Sequence, residues 1–181
     1  EAQKQDFYTV YLPAFHDDVI LHFLQQFPVK WEVFSKYTTL KQIKENVTFH
    51  PIDQENFQKH LINCKGVLCG AGFELPSEAL YLKKKLLVIP MKGHYEQQCN
   101  AAVLEKMGVS VIESLNLVHH RTINLWLSKS QNVEVNYKNQ TEKIILDTLT
   151  EFEKRSIIFE ENDLQFEKSM IQKLSVLKYL F

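Results

Sequence analysis

The chain lacks any apolar run near the roughly 20 residues that a bilayer-spanning helix needs, and its opening residues lack the apolar stretch of a signal peptide. A soluble, cytoplasmic protein is therefore expected. An excess of either charge is also missing, since 21 Lys and Arg stand against 22 Asp and Glu. No nucleic-acid partner is expected, because neutralising several phosphates takes a basic field that this balance does not supply. Cys64, Cys69 and Cys99 are odd in number and lack CxxC spacing, so they read as reduced, buried thiols. The histidines show no zinc-like spacing either. His119 and His120 are adjacent and point off different faces of a helix, and no metal site is expected. Neither a Ser–His–Asp nor a Cys–His pairing can be inferred from spacing, which leaves the catalytic groups unknown. Repeats and low-complexity segments are absent. So is an initial Met, and a chain processed or cut from a longer protein is the expectation. The glycosylation-type triplets at Asn46 and Asn139 occur at chance frequency and carry no argument without a secretory signal.

What is present is alternation. Phe7 to Leu12, Val29 to Ser35, Val47 to Ile52, Gly66 to Cys69, Leu86 to Ile89 and Val109 to Ile112 read as strands. Between them lie helical patterns: Val19 to Phe27 behind Asp17 and Asp18, Gln54 to Ile62 capped by Asp53, Ser77 to Leu82, and Glu96 to Met107 stopped by Gly108. Strands alternating with helices imply an α/β fold, a Rossmann-like parallel sheet with helices on both faces. From Asn116 the pattern is helical, and a further helix is predicted from Gln140 to about Arg155. The chain of 181 residues reads as one domain, 1–155, followed by an apolar helical tail, 156–181. That tail carries Phe166, Ile171, Leu174 and Leu177, which need a surface, so docking or self-association through it is expected. Ligands of open parallel sheets bind beyond the strand ends, which directs attention to the loops after Leu12, Ile52, Cys69 and Ile89.

The most informative stretch runs from Cys69 to Gly108. A short strand opens into Gly70, Ala71 and Gly72, and Pro76 is tolerated only in the first turn of the helix that follows. Glycines without β-carbons let a ligand approach the backbone, and the unpaired amides of a helix start suit a diphosphate; a tight connection is the alternative role. Glu78 is placed in the first turn, where its carboxylate can accept from a vicinal diol, or it is an exposed helix Glu. After Pro90, Glu96, Gln97 and Gln98 sit at a helix start, fit either for sugar hydroxyls or for capping. Lys83, Lys84 and Lys85 read as a solvated connector, with a peripheral membrane contact as the alternative. His16 lies in a loop that should rim the cleft.

This ordered combination, from about Ile52 to Gly108, resembles the C-terminal, donor-binding domain of GT-B glycosyltransferases, including the peptidoglycan N-acetylglucosaminyltransferase and the macrolide and plant transferases of families 1 and 28. The resemblance implies one half of a GT-B architecture, in which Gly72 and Phe73 face the phosphates and Glu78 takes the ribose hydroxyls. It implies that Glu96 and Gln97 bind the donor sugar, with Asn100 and Ala101 completing the pattern, and that the backbone at Ile52 reads the base. The donor implied is a nucleotide sugar, a UDP-sugar, used as substrate with no further cofactor. An N-terminal acceptor-binding domain would be the implied partner, absent from this chain. Two features depart from the family: Pro13, Ala14, Phe15 and His16 stand where members often have Gly and Ser, and Glu74 places a carboxylate beside the phosphate position. A non-catalytic or obligate subunit completed by a partner chain, and a nucleotide-sugar epimerase of the same fold, are the alternatives.

Overall fold

The computed structural model describes residues 5–129 and 132–155. Its strands are β1 (Tyr8–Tyr11), β2 (Trp31–Ser35), β3 (Gln42–Lys44), β4 (Val47–Pro51), β5 (Gly66–Gly70), β6 (Lys85–Ile89) and β7 (Ser110–Val111). The helices are α1 (Asp17–Leu24), α2 (Gln54–Asn63), α3 (Glu74–Tyr81), α4 (Tyr95–Lys106) and α5 (His120–Ser128), the last preceded by a 3₁₀ turn at Leu117–His119. The chain divides into two compact units, Glu1–Val135 and Asn136–Phe181. In the second, residues 141–155 are helical, as their pattern predicts, and the tail expectation for 156–181 lies outside the described residues.

The seven strands form one sheet in the order β3-β4-β2-β1-β5-β6-β7. All neighbours are parallel except β3, which runs antiparallel to β4 at the edge. Gln42, Ile43 and Lys44 are too few and too polar to announce a strand, so the sequence reads as parallel throughout and β3 is a correction to it. Its turn into β4 passes through Glu45 at φ 56°, and the Asn46 side chain donates to the carbonyls of Phe27 and Val29 at 2.7 and 2.9 Å. The Asn46 amide is thus committed to holding the hairpin.

Because parallel strands are covered on both faces, alternate residues enter two different cores. Val10, Trp31, Val33, Phe49 and Leu68 pack with Ile20, Phe23 and Leu24 of α1 and with Ile123 and Trp126 of α5. Val67, Cys69 and Val88 pack on the opposite face with Leu61 of α2, Ala79 and Leu80 of α3, and Ala101 and Leu104 of α4. Trp31 and Trp126 stack at 6.3 Å, with Tyr8 against both. Each such aromatic or aliphatic side chain contributes about 1.5–3 kcal/mol by leaving water. Burial on both faces makes the middle of the sheet rigid and leaves chemistry to the loops at its edge.

α3 begins at Glu74, three residues before the expected start at Ser77, and Pro76 is its third residue. Proline needs no intrahelical donor partner at that position, so the apolar run 75–76 joins the helix and does not delay it. Glu78 therefore stands in the second turn of α3, not the first.

Candidate functional site

Strands β1, β2, β4, β5 and β6 are parallel, so the loops after Tyr11, Ser35, Pro51, Gly70 and Ile89 gather at one edge of the sheet. From β1 the chain steps outward to β2 and β4, then returns to β5 on the other side of β1. The crevice between the β1 and β5 loops is the switch point at which open α/β sheets bind ligands.

Four residues, Gly70 to Phe73, shape the β5 side. Gly70 and Gly72 have no left-handed φ; a β-carbon on Gly72 would meet nothing within 4 Å, and one on Gly70 would meet the Gln97 Oε1 at an ordinary 3.6 Å. Neither backbone conformation nor packing within the chain requires glycine here. What the two glycines supply is bare backbone in front of a helix start. No side chain caps α3 at Phe73, and Ser77 turns its hydroxyl back to the Phe73 carbonyl at 2.6 Å. The first-turn amides of α3 are left to an outside acceptor, and the helix dipole favours an anion there.

From the β6 side, α4 braces this loop. The Asn100 side chain donates to the Ala71 carbonyl at 3.2 Å, and the Gln97 Oε1 accepts from the Met91 amide at 2.9 Å. His94 caps α4 through a 3.5 Å contact from the Gln97 amide to its ring. Gln97 thereby has its oxygen committed to the loop, and its amide nitrogen is a hydrogen-bond donor. Glu96 is exposed in the first turn of α4, beside it. The structure thus brings Gly72, Phe73, Gln97 and Asn100 together around two neighbouring loops. Phe73 is 75% exposed and Tyr95 is 82% exposed, so aromatic faces flank these loops.

Glu78 lies four residues into α3, about 6 Å along the axis from Glu74. Side chains in a helix lean toward its N-terminus, the end of α3 at which the glycine loop lies. The same residue borders a groove of about 480 Å³ between α2 and α3, lined also by Gln58, Leu61, Ile62, Tyr81 and Leu82. Glu74, at the first position of α3, is exposed, and it lies one turn below Glu78 with like charge. Ile52 follows β4 directly, is exposed and precedes Asp53, whose side chain caps α2 by accepting from the Asn56 amide at 2.7 Å.

Sequence spacing does not reveal what builds the β1 side. Asp17 accepts from Ser35 Oγ at 2.5 Å and from Thr38 Oγ1 at 2.9 Å, so the start of α1 is tied to the exit of β2. That tie lays the His16 ring on Tyr37 at 4.7 Å, nearly parallel. An aromatic pair therefore forms the rim that Pro13, Ala14, Phe15 and His16 were expected to border.

The lysine connector is a correction. Lys84 is buried, and its Nζ donates to the carbonyls of Ile62 and Cys64 at 2.5 and 2.9 Å, at the end of α2. Lys85 donates to the Leu127 carbonyl at 2.7 Å, and burial lowers its pKa. Lys83 alone of the three is exposed, with φ 53°. Two of the three charges are bound to helix ends because the carbonyls there lack partners of their own. Together they form no membrane-facing patch, and among the described residues no helix is long and apolar enough to cross a membrane. His120, in turn, stacks on Phe27 at 5.0 Å and contacts the Asn124 side chain, an ordinary packing role.

The family model for glycosyl transferase family 1 matches residues 1–131. This chain belongs to that family. No curated protein matches it, while solved structures match its fold. It is similar to the spinosyn rhamnosyltransferase SpnG at 17% identity and a TM-score of 0.54, over 71% of this chain and 38% of that one. The glycosyltransferase VinC in complex with dTDP is similar at 13% identity and a TM-score of 0.52, over 71% of this chain and 35% of VinC. ALG13 is similar at 12% identity and a TM-score of 0.54, over 78% of this chain and 95% of ALG13. The chain thus spans little more than a third of SpnG and VinC, and its fold is that of one half of a GT-B glycosyltransferase.

Proposed function

We propose that this chain is the donor-binding half of a glycosyltransferase and holds a nucleotide sugar, a UDP-sugar, at the β1–β5 crevice. The observation that carries the reading is the glycine loop: bare backbone before an uncapped helix start, braced by Asn100, in a member of glycosyl transferase family 1. The amides at the start of α3 would take the diphosphate and stabilise the charge that develops on it as the glycosidic bond breaks. Glu78, leaning toward that end of α3, would accept from the ribose hydroxyls. Gln97 would present its amide nitrogen, and Glu96 its carboxylate, to the hexose. The backbone at Ile52 would read the base. VinC in a complex with dTDP supports a nucleoside diphosphate as the ligand class.

Acceptor binding and the catalytic base belong, in this reading, to a second domain facing the exposed Phe73 and Tyr95. That domain either belongs to the same polypeptide or, as the alternative reading, is a separate partner chain; ALG13, of which 95% is covered, is consistent with a half of this fold standing alone. Self-association through the apolar tail 156–181, which lies outside the described residues, is part of the same reading. Light scattering tests it: the full chain should associate and one ending at Arg155 should be monomeric, and a monomeric full chain would remove self-association.

Calorimetric titration with UDP, UDP-sugars and dTDP tests the function itself. Saturable binding of UDP, weakened by Gly72→Ala, is the expected result. Failure of every nucleoside diphosphate to bind the folded chain would overturn the proposal.

A further inference from the structure

Behind the loop after β4, three chemistry-bearing side chains meet beneath α2. In the β2–β4 register Glu32 pairs with Thr48 and Phe34 with His50, so Glu32 and His50 leave the same face of the sheet one pair apart. α2 covers that face and lowers His60 onto them. One donor atom from each of the three lies within 4.8 Å of the other two. His50 is buried and Glu32 partly buried, with side chains 5% and 20% exposed.

We propose that Glu32, His50 and His60 form a divalent transition-metal site, with zinc(II) the fitting ion. Two imidazole nitrogens and one carboxylate oxygen are a zinc donor set, and three protein ligands leave a fourth position for water. The rings are already held. Phe34 stacks on His50 at 5.0 Å and meets His60 edge-on at 5.2 Å, while Phe57 packs edge-on against Phe34 at 4.9 Å. The His60 Nδ1 lies 2.8 Å from the Asn56 carbonyl, which can only accept, so this nitrogen carries the proton and Nε2 keeps the lone pair. A hydrogen bond from the second ring nitrogen to a backbone carbonyl is the outer contact that metal-binding histidines make.

His50 Nε2 and Glu32 Oε2 stand 2.5 Å apart, within hydrogen-bond distance. Around a tetrahedral ion with bonds of about 2.0–2.2 Å, neighbouring donors lie about 3.3 Å apart. Small side-chain rotations would therefore open the His50–Glu32 pair and draw His60 in. In binding, zinc takes one lone pair from each atom; the proton on His50 Nε2 moves through water to Nδ1, or to bulk water where Nδ1 already holds one, so His50 binds as a neutral imidazole with no change of oxidation state. Positions 32, 50 and 60 belong to three elements, which is why no local spacing announces them.

The test uses the full chain, stripped with a chelator, exposed to zinc chloride and desalted. One zinc per chain by elemental analysis is expected, together with a rise in Tm on adding zinc. Cobalt(II) should give the intense visible bands of a four-coordinate nitrogen–oxygen site. His60→Ala and Glu32→Gln should each weaken zinc at least about tenfold in competition with a chromophoric chelator, whereas replacing His119 and His120 should not. Loss of zinc from the unaltered chain on desalting, a pale six-coordinate cobalt spectrum, or undiminished binding in a folded His60→Ala or Glu32→Gln variant would each overturn the proposal. Should both variants unfold, the cobalt spectrum of the unaltered chain decides alone. A structural His–Glu hydrogen bond without an ion corresponds to the overturning results.

Discussion

The Asn100 side chain donates to the Ala71 carbonyl at 3.2 Å, so the helix after β6 holds the glycine loop after β5. Two loops that would bind different parts of one donor are thereby a single mechanical unit. Asn100→Ala should weaken UDP by about 0.5–1.5 kcal/mol, the net worth of one such hydrogen bond, although Asn100 itself need not touch the ligand. Calorimetry beside hydrogen exchange at residues 70–74 checks this. Weakened binding with unchanged exchange would instead make Asn100 a direct contact.

Gly72 offers the sharpest separation of stability from function. Its φ is not left-handed and an added methyl meets nothing, so Gly72→Ala should leave Tm unchanged or raise it, by about 0.4–1 kcal/mol of stability through the unfolded chain. The same methyl would stand where the phosphates approach. Lower UDP affinity at equal or higher Tm is the expected pair of results; undiminished affinity would place the diphosphate elsewhere.

Glu78 should show itself through the sugar of the nucleoside. If its carboxylate accepts from two ribose hydroxyls, Glu78→Ala should cost UDP about 1–3 kcal/mol, and dTDP, which lacks one of them, less. Equal losses for the two ligands would mean that Glu78 acts through charge or helix structure, for which Glu74 one turn away is the natural suspect.

How much of this was legible follows from where the information sits. The alternation of strands and helices and the motif from Cys69 to Gly108 are local, and the fold and family agree with what they imply. Edge strand β3 was hidden because three exposed or half-exposed residues with a single apolar one among them carry no period, and the start of α3 because Pro76 reads as a boundary although it is also a tolerated first-turn residue. Asn100 is legible as part of the motif, but its hydrogen bond to Ala71 is not, since it joins residues 29 positions apart. The Asp17 contacts with Ser35 and Thr38, and the Glu32, His50 and His60 cluster, depend wholly on which strands become neighbours.

The three thiols divide by burial. Cys64 and Cys69 are buried in the core under α2, α3 and α4, whereas Cys99 is exposed on α4. Burial pushes both core thiols up, Cys64 with partial opposition from Thr9 and Lys84 and Cys69 without any. Since the thiolate is the nucleophile, a disulfide reagent at mildly alkaline pH should label Cys99 alone in the native chain and all three after denaturation. Peptide mapping by mass spectrometry reads the site directly. Native labelling at Cys69 would show that the α3–β6 face opens readily.

Lys84 gives a prediction about stability that its charge alone would not. Read as part of a run of three lysines it looks solvated, yet its ammonium group binds the Ile62 and Cys64 carbonyls where α2 ends. Those carbonyls have no onward helical partners, and the helix dipole makes that end favourable for a cation. Lys84→Met keeps most of the buried aliphatic stem but removes the donors, leaving carbonyls desolvated and unpaired. A loss of about 1–3 kcal/mol is expected, measured by urea unfolding at neutral pH. Lys83→Met, at an exposed neighbour, should change stability by no more than about 0.5 kcal/mol. If the two substitutions cost the same, the cap on α2 contributes nothing and the burial of Lys84 is incidental to the fold.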